Sequence, residues 1–224
     1  MRVLALSTAT ARASVAILDD GLVAAQSSYE DGMMHAERIF HLIDRVCAFA
    51  ATTRDQIDAL ACDIGPGSFT GVRVGVATAK GICLGLGKPL FPVGSLQAMA
   101  AAAFALLPPT INTVSPIVDA KRGEIFIASY HRGGAESAPA FMRRDRAEEH
   151  LAQLVADDHR FVGRAAADFE LGDQVVEHLS CELPSAEWIA RLALQQQHAP
   201  PLMDVEPNYV RGAGATPMSA APRK

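Results

Sequence analysis

Aromatic side chains are scarce in this chain. One Trp, three Tyr and nine Phe make up 6% of its 224 residues, so a core has to be assembled from aliphatic side chains and alanine. Cationic excess is missing as well. Lys and Arg number 20 against 25 Asp and Glu, for a net charge of −5. Both halves are acidic, with 8 basic and 9 acidic residues before residue 110 and 12 and 16 after it. A protein that grips nucleic acid unaided presents a basic face to the phosphates, and these totals offer none. The four cysteines, Cys47, Cys62, Cys83 and Cys181, include no CxxC pair, which argues against a zinc framework; three sit among apolar neighbours, as small core residues do. No apolar run reaches the roughly 18 residues that span a bilayer, and no charged-then-apolar leader opens the chain. These absences point to a cytoplasmic protein with reduced thiols and no membrane segment.

What is present is an apolar half arranged in α/β order. Arg2 to Thr8, Ala13 to Leu18 and Leu22 to Ser28 read as three strands, the last two joined by the hairpin turn Asp19-Asp20-Gly21. A helix from about His35 to Ala50 follows, with Ile39, Leu42, Ile43, Val46 and Ala50 as its inner stripe and Phe40, Cys47 and Phe49 widening the apolar surface. Asp58 to Ile64 gives a fourth strand, Pro89 to Val93 a fifth, and an alanine-rich helix capped by Ser95 runs to about Leu107. Pro108-Pro109 is the natural boundary. Beyond it come Ser115 to Ala120, a turn at Lys121-Arg122-Gly123-Glu124, a return over Ile125 to His131, a helix from Ala147 to Val155, a short strand at Arg160 to Val162 and a helix from Ser185 to Gln197. The reading is therefore a lobe over 1–108 of pattern βββαβαβα, a smaller lobe over 109–215, and a disordered tail over 216–224.

The most informative stretch runs from Gly65 to Gly85. Gly65-Pro66-Gly67 breaks a buried strand, and Ser68 or Thr70 can cap the helix that follows. A strand end, a glycine turn and a helix N-terminus together can receive an anion, which nominates Gly65, Gly67, Ser68, Phe69, Thr70 and Arg73 as a nucleotide or anion loop. Within the helix, Gly71, Gly75 and Ala79 share a face. Interior glycines cost roughly 0.5–1 kcal/mol each against alanine, so that face must meet a closely packed backbone, either this chain's own sheet or another chain's helix.

Gly-Pro-Gly-Ser-Phe-Thr-Gly-Val-Arg-Val-Gly, residues 65–75, closely resembles the signature of the TsaB (YeaZ) family, the non-catalytic partner in bacterial synthesis of threonylcarbamoyladenosine (t6A) in tRNA. Asp119-Ala120-Lys121-Arg122-Gly123-Glu124-Ile125-Phe126 resembles a second family segment, and Glu206-Pro207-Asn208-Tyr209-Val210-Arg211 a third. The resemblance covers the first hundred residues and these two segments, while residues 133 to 200 match only in general character. It implies a two-lobed actin-like, ribonuclease-H-like (ASKHA) α/β fold with mixed sheets flanked by helices. It implies dimerisation with the catalytic subunit TsaD, which modifies adenosine 37 of ANN-decoding tRNAs, and association with the ATPase TsaE. Contact with tRNA would be through the complex only, with a homodimer in the absence of the partner. No cofactor is expected on the chain alone, and ATP or ADP has a place only at the complex interface. The expected partner surface comprises His35, Ile39, Phe40, Ile43, Thr70, Gly71, Val72, Gly75, Val76 and Ala79.

Other residues bear on catalysis. ATP-hydrolysing relatives in this superfamily hold magnesium with an aspartate at the end of the first strand, where this chain has Ser7; a hydroxyl lacks the charge a hard cation prefers. His35 and His41 stand about 120° apart around their helix and do not form the paired ligands of a metallopeptidase; Glu37 and His41 share a face but make too few ligands. No metal site and no catalytic residue is expected. A metallopeptidase-like or kinase-like ATP-using enzyme is the alternative. Arg73, in a helix first turn where the dipole disfavours a cation, is expected to meet a carboxylate of this chain, with a phosphate as the other reading. Asp119 and Lys121 either close a plain β-turn or border a cleft between lobes, and Tyr209 is placed to pin the C-terminal segment. Arg143, Arg144 and Arg146, balanced by Asp145, Glu148 and Glu149, read as a solvated strand-to-helix junction.

Overall fold

The computed structural model describes residues 1–30, 35–134 and 137–210, with the side chains of 35–37 outside that description. The chain opens as an antiparallel meander of β1 (Arg2–Ser7), β2 (Arg12–Asp19) and β3 (Leu22–Glu30). Asp20 and Gly21 take φ of 48° and 80° in the β2–β3 turn, the left-handed pair that a tight hairpin needs. Then come α1 (His35–Phe49), β4 (Ala59–Asp63), α2 (Phe69–Leu86), β5 (Leu90–Val93) and α3 (Ser95–Leu106). The first sheet has the order β3-β2-β1-β4-β5, with β4 and β5 parallel to β1.

The second sheet repeats the plan with less helix. Its strands are β6 (Thr113–Lys121), β7 (Glu124–Ile127), β8 (Tyr130–His131), β9 (Ala140–Arg143), β10 (His159–Val162) and β11 (Val175–Val176), in the order β11-β10-β6-β7-β9, with β8 paired to β6. Helix α4 (Arg144–Leu154) follows β9, and α5 (Ala186–Ala193) comes last. The expected Ile125–His131 return is divided between β7 and β8, β9 is an added strand, and the last helix stops at Ala193 rather than Gln197. Ser95 is the first residue of α3 rather than its cap, which is Gly94.

Layers follow from which faces are apolar. Leu4, Leu6, Val15 and Ile17 point to one side of the first sheet, where Ile39, Leu42, Ile43 and Val46 of α1 and Val72, Val76 and Ala79 of α2 close over them. Val3, Ala5, Ala16 and Leu18 point to the other side and meet Ile189 and Ala190 of α5 and Ala98 of α3. The opposite face of α3, with Leu96, Met99 and Ala103, packs on Val114, Val118 and Phe126 of the second sheet. Beyond that sheet, Ile125 and Phe161 meet Ala147 and Leu151 of α4. The order is helices, sheet, helices, sheet, helix, and α3 and α5 are held in common by both sheets. Alanines dominate this shared middle layer, which is how a chain poor in aromatics brings two sheets close.

Helix α2 is, among the described residues, the one helix long and apolar enough to cross a membrane by length and composition, with 18 residues and mean hydropathy 1.2. Arg73 and Lys80 interrupt it, so it is not a continuous apolar run. Its apolarity serves packing: Gly71, Val72, Gly75, Val76, Ala79 and Cys83 form its buried face.

Candidate functional site

Strand β4 ends in a carboxylate. Asp63 is buried, and burial holds its carboxyl above the usual range, against the pull of donors from Ser7, Ser95 and Gly65. Ser7 Oγ donates to Oδ2 at 2.6 Å, while Ser95 Oγ at 2.5 Å and Gly65 N–H at 2.9 Å donate to Oδ1. Ser7, at the end of β1, is thus occupied with holding Asp63. The trio ties together the ends of β1 and β4, the start of α3 and the glycine loop. Sequence reading passed over Asp63 and Ser95 as partners; the aligned strand ends that bring them together are a tertiary fact.

The loop from Gly65 to Ser68 then turns toward the second sheet. The Gly65–Pro66 peptide is cis, and Gly65 has φ 94°. Ser68 is the N-cap of α2, accepting from Gly71 N–H at 3.2 Å, and its own N–H donates to Ala9 O at 2.6 Å. Of the amides in the expected anion loop, those of Gly65 and Ser68 are therefore engaged within the chain. Arg73 does not meet the expected carboxylate among the described residues. Its Nε donates to Tyr209 Oη at 2.8 Å, and its guanidinium lies 3.5 Å from the centre of the Phe69 ring. A carboxylate is not needed, because an aromatic face and a phenol satisfy an exposed cation against the dipole. Tyr209 does pin the C-terminal segment, together with Lys80, whose Nζ donates to Met203 O at 3.1 Å and Val205 O at 2.9 Å, and Asn208 N–H, which donates to Ile64 O at 2.7 Å. Arg211 lies outside the described residues.

Between this loop and the second sheet is a cleft of about 950 Å³. Gly67, Ser68, Phe69 and Thr70 form one wall, Ile117 to Arg122 the other, and Asn208 to Val210 border it. Asp119 and Lys121 do border the cleft. They also make the turn: Lys121, Arg122 and Gly123 have φ of 65°, 56° and 75°, and Asp119 Oδ1 accepts the Lys121 N–H at 3.0 Å. The glycine was legible at φ > 0; the two cations before it in the same left-handed region were not. The Asp119 carboxyl is held below the usual range by Lys121 and Arg144, burial notwithstanding. Arg143 ends β9 and pairs with Asp145, and Arg144 pairs with Asp168, as a solvated junction would.

The glycine face of α2 turns inward. A Cβ on Gly71 would stand 2.1 Å from Thr8 O, and one on Gly75 would stand 2.4 Å from Thr8 Oγ1. Thr8 Oγ1 donates to Gly71 O at 2.7 Å. At Gly71 glycine is required because α2 meets the backbone just beyond β1, while at Gly75 the neighbour is the Thr8 hydroxyl. Seven of the ten residues expected on a partner face, Ile39, Ile43, Gly71, Val72, Gly75, Val76 and Ala79, are therefore buried in this chain's own core. Phe40 and Thr70 are exposed, and the His35 side chain lies outside the described residues. Other residues complete the outward surface of the two helices. Phe49 is 63% and Leu84 78% exposed, Ala77, Gly81 and Gly85 are open, and a Cβ on either of those two glycines would meet nothing within 4 Å.

Four cysteines are free and buried, and burial pushes the Cys83 thiol up to about 12 and that of Cys181 up to about 11. Among the described residues no three His, Cys, Asp or Glu side chains gather as a metal set. His159 is buried between β6 and α4, with Nε2 at 2.8 Å from Ser115 Oγ and its ring stacked on Phe161 at 4.6 Å.

Two α/β lobes, each built on a mixed sheet and facing each other across a cleft, are the actin-like ATPase and sugar-kinase architecture. Solved structures agree. The chain is similar to YeaZ from Pseudomonas aeruginosa, with a TM-score of 0.74 at 24% identity over 93% of this chain and 100% of that one, and to the ADPNP-bound activator of 2-hydroxyisocaproyl-CoA dehydratase from Clostridium difficile, with a TM-score of 0.50 at 10% identity over 87% and 96%. Residues 31–172 match the family model for TsaD, tRNA N6-adenosine threonylcarbamoyltransferase. The chain is 32% identical to the tRNA threonylcarbamoyladenosine biosynthesis protein TsaB of Haemophilus influenzae over 94% of each, and 35% identical to that of Escherichia coli over 69% of this chain and 68% of its relative. It belongs to the TsaB (YeaZ) family.

Proposed function

We propose that this chain works in tRNA threonylcarbamoyladenosine biosynthesis as a non-catalytic scaffold, pairing with a TsaD-type subunit through the outer faces of α1 and α2, with a TsaE-type ATPase joining the pair. The observation that carries this reading is the bare, apolar outer face of α2, where Leu84 projects beside Ala77, Gly81 and Gly85 and another helix can lie close; on α1, Phe40 and Phe49 are exposed on opposite flanks of the buried stripe. Glycines at open helical positions forgo about 0.5–1 kcal/mol each, which a helix packed against them restores. The names of the two curated relatives support the pathway. The cluster at the end of β1 supports the absence of an autonomous magnesium–ATP reaction, since Ser7 replaces the expected carboxylate and is spent on Asp63. Transfer of the threonylcarbamoyl group to adenosine 37 then falls to the partner, with tRNA and any nucleotide engaged by the assembled complex.

Light-scattering mass after size exclusion tests this, on the chain alone and mixed with TsaD from the same organism. A one-to-one heterodimer is expected, displacing any homodimer, and Leu84→Glu is expected to abolish it while leaving the circular dichroism spectrum unchanged. No association under several salt and nucleotide conditions would remove the scaffold reading, and the lone chain would then be assayed for zinc-dependent peptidase or magnesium-dependent ATPase activity.

A further inference from the structure

At one end of the cleft, four charged side chains from four separate segments close on each other. Arg12 starts β2 and Glu30 ends β3, both in the first sheet. Arg164 follows β10, and Glu182 precedes α5 on the side of the second sheet. Arg164 forms a forked pair with Glu30, with its second nitrogen at 3.0 Å from Oε2, and reaches Glu182 at 2.7 Å. Arg12 pairs with Glu182, stands 3.9 Å from Glu30, and donates to Leu179 O at 3.3 Å. Each cation therefore touches both anions, and each anion both cations. The two guanidiniums and two carboxylates sum to zero charge, and Arg12 and Glu182 are only 15% and 18% exposed.

This knot stands between two hollows. Arg164 lines the 950 Å³ cleft. Arg12 lines a second hollow of about 320 Å³, walled by Ser14, Ser28, Ser185 and Trp188. Leu183 and Ala11, next in sequence to Glu182 and Arg12, face the first hollow, while Leu179 faces the second.

We propose that Arg12, Glu30, Arg164 and Glu182 form an ionic gate that closes one end of the interlobe cleft, pins the first sheet to the second at that end, and joins the two hollows when it opens. A forked Arg–carboxylate pair fixes distance and orientation at once, so it suits a strut between two bodies. Partial exposure leaves it open to screening by salt. Arg164 is the central member. Without it Glu30 loses its forked partner and keeps only the long contact to Arg12, and the knot is tied there by Arg12 alone, through Glu182 and the Leu179 carbonyl.

The test places spin labels on Thr70→Cys and Lys121→Cys, exposed residues on opposite walls of the cleft; the four native cysteines are buried and stay unlabelled. Pulsed electron–electron distance measurements are made on the full chain, on Arg164→Gln and on Glu30→Gln. The gate predicts a longer and broader distance distribution in Arg164→Gln, a smaller change of the same sign in Glu30→Gln, and a lengthening in the parent as salt rises. Amide hydrogen exchange at Ala11 and Leu183 should speed up in both variants, with exchange in α4 unchanged. Distances identical to the parent in both folded variants would overturn the gate and leave the knot a static brace. If Arg164→Gln fails to fold, Glu30→Gln and the salt series decide: an unmoved distance in both overturns the proposal.

Discussion

Burial outweighs the Leu154 backbone hydrogen bond and the nearby Asp158 carboxylate at His159, which makes it a residue through which mild acid reaches the fold. Its ring is packed on Phe161 with Nε2 against Ser115, and burial lowers its pKa below the ordinary value of 6.5. A histidine held neutral in the fold but protonated when unfolded binds fewer protons in the native state, so stability rises with pH across that interval. The stabilisation is full above pH 6.5 and is lost as pH falls from there toward the lowered native value. The urea midpoint should therefore be lower at pH 5.5 than at pH 7.5, and His159→Gln should remove most of that difference. An equal pH dependence in parent and variant would assign the effect to other groups. Glu30 and Glu182, held below their usual range first of all by Arg164, act in a lower window. Their contribution is present above the unfolded carboxylate pKa and lost as pH falls through the depressed native one, so the two effects separate along the pH axis.

At the scale of elements, α2 carries two sets of glycines with opposite consequences. Gly71 and Gly75 lie against Thr8, just beyond β1, and Gly81 and Gly85 lie where nothing stands. Gly75→Leu is expected to destabilise the isolated chain, read as a lower melting temperature, because its Cβ would meet the Thr8 hydroxyl, which is itself held by its hydrogen bond to Gly71 O. Gly81→Ala and Gly85→Ala are expected to raise the isolated chain's stability by about 0.5–1 kcal/mol each, read as an increase in melting temperature. Loss of stability in the alanine variants would show that the outer face is already covered. The every-four spacing was visible in the sequence; which set meets this chain's own sheet was not, because spacing gives a shared face and not its direction. The same holds for α1. Its inner stripe of Ile39, Leu42, Ile43 and Val46 was legible from the 3.6-residue period, yet Ile39 and Ile43 were also assigned to a partner, which one buried face cannot serve. Arg132, which caps the end of α3 through the carbonyls of Phe104, Leu107, Pro108 and Ile111, gave no signal at all, since its reach of 21 to 28 residues is set by β8 lying beside β6.

For the whole molecule, the shared middle layer decides cooperativity. Trp188 on α5 packs against the cluster under the first sheet and against the one under the second. Lobes that shared only a polar interface would melt separately; these share α3 and α5. Trp188 fluorescence and far-ultraviolet circular dichroism are expected to report one coincident unfolding transition, and two resolved transitions would show that the layer does not couple the sheets.

The sequence by itself determined the order of elements, the glycine loop after β4, the strand-rich second half and the family, because local pattern and an eleven-residue signature are written along the chain. Tertiary structure decided the rest. It turned Ser7 and Ser95 onto Asp63, gave Arg73 a phenol and a ring instead of a carboxylate, buried seven residues that had looked available to a partner, and gathered Arg12, Glu30, Arg164 and Glu182 from segments up to 170 residues apart. Periodicity fixes which residues lie together on an element; only the packing of one element on another fixes what each face meets.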